Sequence, residues 1–204
     1  MIPSTANCIA FCGSKRIASG PLSSVALKAK AIFDRDKWAQ VVIFDDATSF
    51  SVEVDFRGTA RDVLRRLAER DSAVAAPPAN PQRGPGRPKL GVVAREVTLL
   101  PRHWDWLASQ PGGASVALRK LVESARQANR GQDARRKAQE SAYRFLAAMA
   151  GNEPGFEEAI RALFGNKPQR FNEMVRAWPK DIRNHAKKLA APVFQAGDKH
   201  GLGG

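Results

Sequence analysis

The side chains of this chain most able to act together chemically are its cations, and the chemistry they suggest is polyanion binding. Thirty-three Lys and Arg face twenty Asp and Glu, a formal net charge of +13. The excess is uneven: residues 77–138 hold twelve basic side chains against four acidic. Residues 1–76 hold eleven against nine, and 139–204 ten against seven. A concentrated excess fits nucleic acid better than scattered solubilising charge does. Arg130, Arg135, Arg136 and Lys137 are candidate phosphate contacts, and Arg83, Arg87 and Lys89 form a second basic group. Cations that neutralise phosphates make binding steeply salt-dependent. A solvated helix face is the plainer reading of the first group.

Catalytic arrangements are poorly represented. His103, His185 and His200 lie far apart with no metal-ligand spacing. Cys8 and Cys12 lack third and fourth ligands for zinc and are too few for a disulfide framework, so they read as reduced thiols of a cytoplasmic protein. Asp45-Asp46 suggests a carboxylate pair, but a hairpin turn uses Asp for its own backbone geometry. Tyr143 stands alone, and neither a phosphate-cradling glycine loop nor a nucleophile elbow is present. The expectation is no catalytic residue, no metal, no cofactor and no enzymatic activity.

The elements that position these residues follow from pattern. Residues 1–76 read as hairpin, glycine, helix, written twice. Cys8–Phe11 and Lys15–Ala18 flank a turn, and a helix runs from Leu22 to Asp34. Val41–Phe44 then returns through Phe50, Val52, Val54 and Phe56 at period two, and Thr59 caps a helix carrying Val63, Leu64 and Leu67. A four-stranded antiparallel sheet with two helices on one face is the economical α+β fold. Proline, glycine and basic residues over 77–91 read as an extended linker. Residues 139–194 read as a short-helix bundle, with apolar runs such as Ala142–Met149 and Phe156–Leu163. The tail 195–204 reads as disordered. No apolar run approaches the ~20 residues of a membrane span, and Met1-Ile2-Pro3-Ser4 does not open a signal peptide.

Within a segment that reads as 92–138, residues 92–126 are the most informative. Val93–Leu99 alternates as a half-buried strand, Pro101 opens a short helix through Gln110, and Pro111-Gly112-Gly113 stops it. Ser115 is a suitable N-cap for a second helix with Leu118, Leu121, Val122 and Ala125 on one face. Polar residues 127–139 continue that helix as a solvated extension. This order, with Ser115-Val116-Ala117-Leu118-Arg119-Lys120, resembles the ribbon-helix-helix superfamily of DNA-binding proteins over 92–126. The resemblance implies a homodimer that pairs the strand 93–99 with its copy. It places Ala94, Glu96 and Thr98 in the DNA groove and a backbone phosphate at the helix start, Ser115 and Val116. It puts Val97, Leu99, Trp104, Leu107, Leu118 and Val122 in the dimer core. Alanine and glutamate are weak base readers beside Arg, Asn or Gln, which implies modest sequence discrimination. Arg83-Gly84-Pro85-Gly86-Arg87-Pro88-Lys89 contains Gly-Arg-Pro and so resembles the centre of an AT-hook, although Pro85 replaces the usual arginine. That implies an arginine in the narrow minor groove of AT-rich duplex.

Over most of its length, through Ala18-Ser19-Gly20-Pro21-Leu22, Phe44-Asp45-Asp46, Arg83–Leu107 and Pro111-Gly112-Gly113-Ala114, the chain also resembles an uncharacterised bacterial family of unknown function. The functional expectation is a homodimeric DNA-binding protein, a transcriptional regulator that needs no membrane. Its rival is a protein–protein adaptor whose charge is incidental. No residue pattern names a small-molecule effector.

Overall fold

The run Cys8-Ile9-Ala10-Phe11 is buried at every position, so its strand is covered on both faces. The computed structural model describes residues 3–75, 93 and 95–195. Strand β1 (Asn7–Cys12) pairs antiparallel with β2 (Lys15–Pro21) around Gly13, whose φ of +54° suits glycine. It also pairs antiparallel with β3 (Val41–Asp45), giving the order β2-β1-β3. The fold is mixed α+β, with this sheet and seven α-helices among the described residues.

Helices α1 (Leu22–Arg35) and α2 (Ala60–Ala75) cover one face of the sheet. Val25, Ala26 and Ala29 of α1 and Val63 and Leu67 of α2 pack with Cys8, Ala10 and Ile43. Pro21 cannot cap α1 with a side chain. The first amides, of Leu22 and Ser23, instead donate to the carbonyls of Ala6 and Ser4 at 2.9 and 3.2 Å. The Ser4 N–H donates to both carboxylate oxygens of Asp71 on α2, at 2.9 and 3.0 Å, and these bonds hold that carboxyl below its usual range. At the start of α2, Thr59 N–H donates to Asp62 while Asp62 N–H donates to the Thr59 hydroxyl, a reciprocal cap.

The other face of the sheet carries Ile9, Phe11 and Phe44. They pack with Ala142, Phe145 and Leu146 from the C-terminal part of α4 (Gly113–Ala150). The same core takes side chains from α5 (Phe156–Phe164), α6 (Pro168–Met174), the 3₁₀ turn Val175–Ala177 and α7 (Lys180–Gln195). The Phe145 ring lies 5.4 Å from Phe11 and 5.6 Å from Phe44. Residues 1–76 and 132–204 thus form one compact unit, and 77–131 form a second.

Three expectations are corrected here. The sheet has three strands, because the return segment 50–56 bridges β3 only at Ser51, opposite Phe44. Val52 N–H still reaches the Ile43 carbonyl at 2.8 Å, but the Asp55 and Arg57 carbonyls accept from the Arg66 guanidinium of α2 instead of from a strand. Helices lie on both faces, and 1–76 shares its second core with the residues after 132, so the helices of 139–194 build on the sheet. The second helix of the central segment and the first of the C-terminal group are one helix, α4. Its residues are good helix formers, and the single Gly131 is tolerated at a cost of about 1 kcal/mol. Segment 77–91 and residues 196–204 lie outside the described residues, and Gln195 ends α7.

Candidate nucleic-acid interface

The second unit begins, within the described residues, with a segment that was expected as a strand and pairs with none of the described strands. Residues 95–100 carry no strand, and Leu100 is extended at φ −69° and ψ 150° before helix α3 (Pro101–Ala108). Pro101 occupies the first helical position, where its missing N–H costs nothing. The turn to α4 uses Gly112 at φ +85° and Gly113 at φ +73°. A Cβ on Gly112 would press on the Val116 side chain at 3.2 Å, so glycine is needed there for space as well as for conformation.

Among the described residues of this unit, only Leu107 and Ala117 are buried. Of twelve exposed large hydrophobic side chains among the described residues, seven are here: Val93, Val97, Leu100, Trp104, Trp106, Leu121 and Val122. A soluble monomer seldom leaves so much apolar surface together unless it meets a partner. Of the expected dimer core, Leu107 is buried, Leu99 and Leu118 are half-buried, and Val97, Trp104 and Val122 are exposed. That set omitted Trp106 and Leu121. Helical period made Leu121 visible in the sequence, whereas Trp106 sits two residues from Trp104 and only the folded chain shows that both are uncovered.

The polar candidates are only partly brought together. Glu96 and Thr98 are exposed, while Ala94, Arg83, Arg87 and Lys89 lie outside the described residues. Ser115 is not an N-cap, because α4 starts two residues earlier, where the Gly113 N–H donates to the Gln110 carbonyl at 2.9 Å. Val116 is half-buried over Gly112. Of the four expected phosphate contacts, Arg130 and Lys137 are exposed and take part in no ion pair among the described residues. Arg136 pairs with Asp133 at 2.8 Å, and Arg135 is half-buried with its Nε enclosed.

The residues that suggested catalysis have structural duties. The Cys8 thiol is buried, and burial, then Asp45 and Asp46, push its pKa up to about 11, away from the reactive thiolate. Asp45 accepts from the Thr48 N–H at 2.7 Å and the Thr48 hydroxyl at 2.6 Å, closing its turn, and Asp46 pairs with Lys188 at 2.6 Å. His185 sits edge-on to Phe145 at 4.5 Å, and burial pulls its pKa down to about 4. A cleft of about 400 Å³ beside α2 is lined by Glu53, Asp55, Arg66 and Arg70, and Arg66 already binds Asp55. Among the described residues no three His, Cys, Asp or Glu gather as a metal site, and no helix is long and apolar enough to cross a membrane.

A family model described as an uncharacterised protein conserved in bacteria, DUF2239, matches residues 7–190. The chain belongs to that family. The DUF2239 match spans residues from both units. No curated protein and no solved structure matches the chain.

Proposed function

We propose that this DUF2239 protein is a homodimeric DNA-binding protein, a transcriptional regulator of the bacterial cytoplasm, with residues 92–126 as its binding and dimerising module. One observation carries the reading. The unit 77–131 combines seven exposed large apolar side chains with nine basic side chains against three acidic. In a dimer, residues 93–99 pair with their copy as a ribbon-helix-helix strand does, and Trp104, Leu107, Leu118 and Val122 meet across the interface. Ala94, Glu96 and Thr98 then face the groove, the first turn of α4 with Ser115 and Val116 meets a phosphate, and Arg87 with Arg83 and Lys89 follows an AT-rich minor groove. Covering each half-exposed Val, Leu or Trp contributes roughly 1 kcal/mol.

A second reading has its own support. Two exposed tryptophans on one short helix, Trp104 and Trp106, are the side chains that anchor protein interfaces, and Glu96 and Thr98 are modest base readers. In that case the chain is an adaptor for another protein. Light scattering at micromolar concentration and fluorescence anisotropy with AT-rich and GC-rich duplexes separate the two. The DNA reading expects twice the 22.2 kDa monomer mass, duplex binding that weakens steeply with salt, and a smaller AT preference in Arg87→Ala. A monomer that binds neither duplex at low salt refutes it in favour of the adaptor.

A further inference from the structure

Within α4, every residue from Arg119 to Gln132 is exposed. Fourteen residues of helix, about 21 Å, therefore each keep a large part of their surface open to solvent. Such a segment buries no face and keeps its helix through local propensity alone. At 100° per residue, Arg119, Arg126 and Arg130 fall within about 40° of one another, forming one line along the helix. Glu123 is the one acid beside that line in this stretch. It pairs with Arg126 at 3.1 Å, but both side chains are mostly exposed, at 57% and 73%, so a stronger anion exchanges for it readily. Arg119 spends its Nε on the Ser115 carbonyl at 3.1 Å, leaving its terminal amino groups, and Arg130 joins no ion pair among the described residues.

The opposite side of the same segment carries Leu121, Ala125 and Ala128, continuing Ala117 and Leu118. An apolar contact made there leaves the arginine line facing outward, with Val122 at its edge about 40° from Arg126. Alanine supplies most of that side, too little apolar area to seat the helix in a lipid surface. A bare helix of 10–12 Å diameter matches a duplex major groove about 12 Å wide, whose walls are phosphates. Arginine is the cation suited to them, because its planar fork bonds two phosphate oxygens at once.

We infer that Arg119, Arg126 and Arg130 form a phosphate-binding line that holds α4 against duplex DNA, a contact that the ribbon-helix-helix resemblance does not assign. The inference rests on the DNA-binding reading and can fail without it. The test uses the full-length chain with all three arginines changed to glutamine, Arg119→Gln, Arg126→Gln and Arg130→Gln, and a labelled mixed-sequence duplex titrated at several salt concentrations. The logarithmic salt slope should fall by about three per protomer, and low-salt affinity by at least about tenfold. A control carrying Lys28→Gln, Lys167→Gln and Lys187→Gln removes the same charge from exposed positions of the other unit and should keep most of the slope. The charge-keeping set Arg119→Lys, Arg126→Lys and Arg130→Lys should retain the slope at lower affinity. Wild-type binding that the glutamine set leaves intact, or that the control weakens equally, overturns the line while the DNA reading survives. A lysine set that loses as much slope as the glutamine set also overturns it, since the loss then reflects folding. If the wild-type chain binds no duplex at low salt, both fall.

Discussion

Lowering the pH from 7 to 4.5 should weaken the first unit through a single side chain, His185. Its imidazole is 4% exposed, lies 4.5 Å from Phe145 and 5.9 Å from Phe11, and has no hydrogen-bond partner for Nε2. Burial disfavours the imidazolium and takes the pKa from 6.5 to about 4, with Asp46 opposing and Lys188 and Arg16 assisting. The folded pKa lies below the unfolded one, so the unfolded chain binds the proton first. Stability is therefore full above about pH 6.5 and declines as pH falls toward 4. A shift of this size corresponds to about 2–3 kcal/mol lost by pH 4.5. The carboxyls of Asp55, Asp62 and Asp71, whose hydrogen bonds hold them below their ordinary range, lose their contribution only at lower pH, so the window belongs to the histidine. Denaturant unfolding of the wild type and of His185→Phe at pH 7, 6, 5 and 4.5 measures the difference directly. Phenylalanine keeps an aromatic ring against Phe145 and cannot protonate, so the variant should gain on the wild type by about 2–3 kcal/mol across the series. A difference between the two chains that does not change with pH would refute the argument.

Two further outcomes follow from the shared core of the first unit. Phe145→Ala removes a fully buried ring that touches Phe11, Phe44 and His185, and should cost about 3–5 kcal/mol in thermal or denaturant unfolding; a change under about 1 kcal/mol would mean that the site collapses around the loss. Residues 1–76 expressed alone uncover Ile9, Phe11 and Phe44, each worth roughly 1.5–3 kcal/mol when buried, so the fragment should bind hydrophobic dyes and self-associate. A monomeric fragment with a cooperative unfolding transition would contradict that expectation.

Local chemistry in the sequence determined most of the elements. The capping pair Thr59 and Asp62, Pro101 at a helix start and the turn at Gly13 each act over a few residues, and each is found where those residues are. Helix starts near Phe156 and Pro168 were legible for the same reason. The candidate interface was half legible: the apolar period of 117–125 and the charge excess could be read, but whether Trp104, Trp106 and Val122 were covered could not. Exposure depends on what the rest of the chain places beside a side chain, and short-range pattern carries no record of it.

Only the tertiary structure decided the rest. Period two reports a strand with one wet face. Cys8–Phe11 is apolar at every position because α1 and α2 cover one face and α4 to α7 the other, and such a run does not say which helices those are. The fourth strand was lost after Val52 because the Asp55 and Arg57 carbonyls bond Arg66, a residue of the next helix that the turn into α2 brings back beside them. Long-range packing likewise turned His185 from one of three scattered histidines into a buried neutral ring. The polar stretch 127–139 of α4 was expected to remain helical, but its two ends lie in different units, so the side chains along one helix meet a core at one end and solvent at the other.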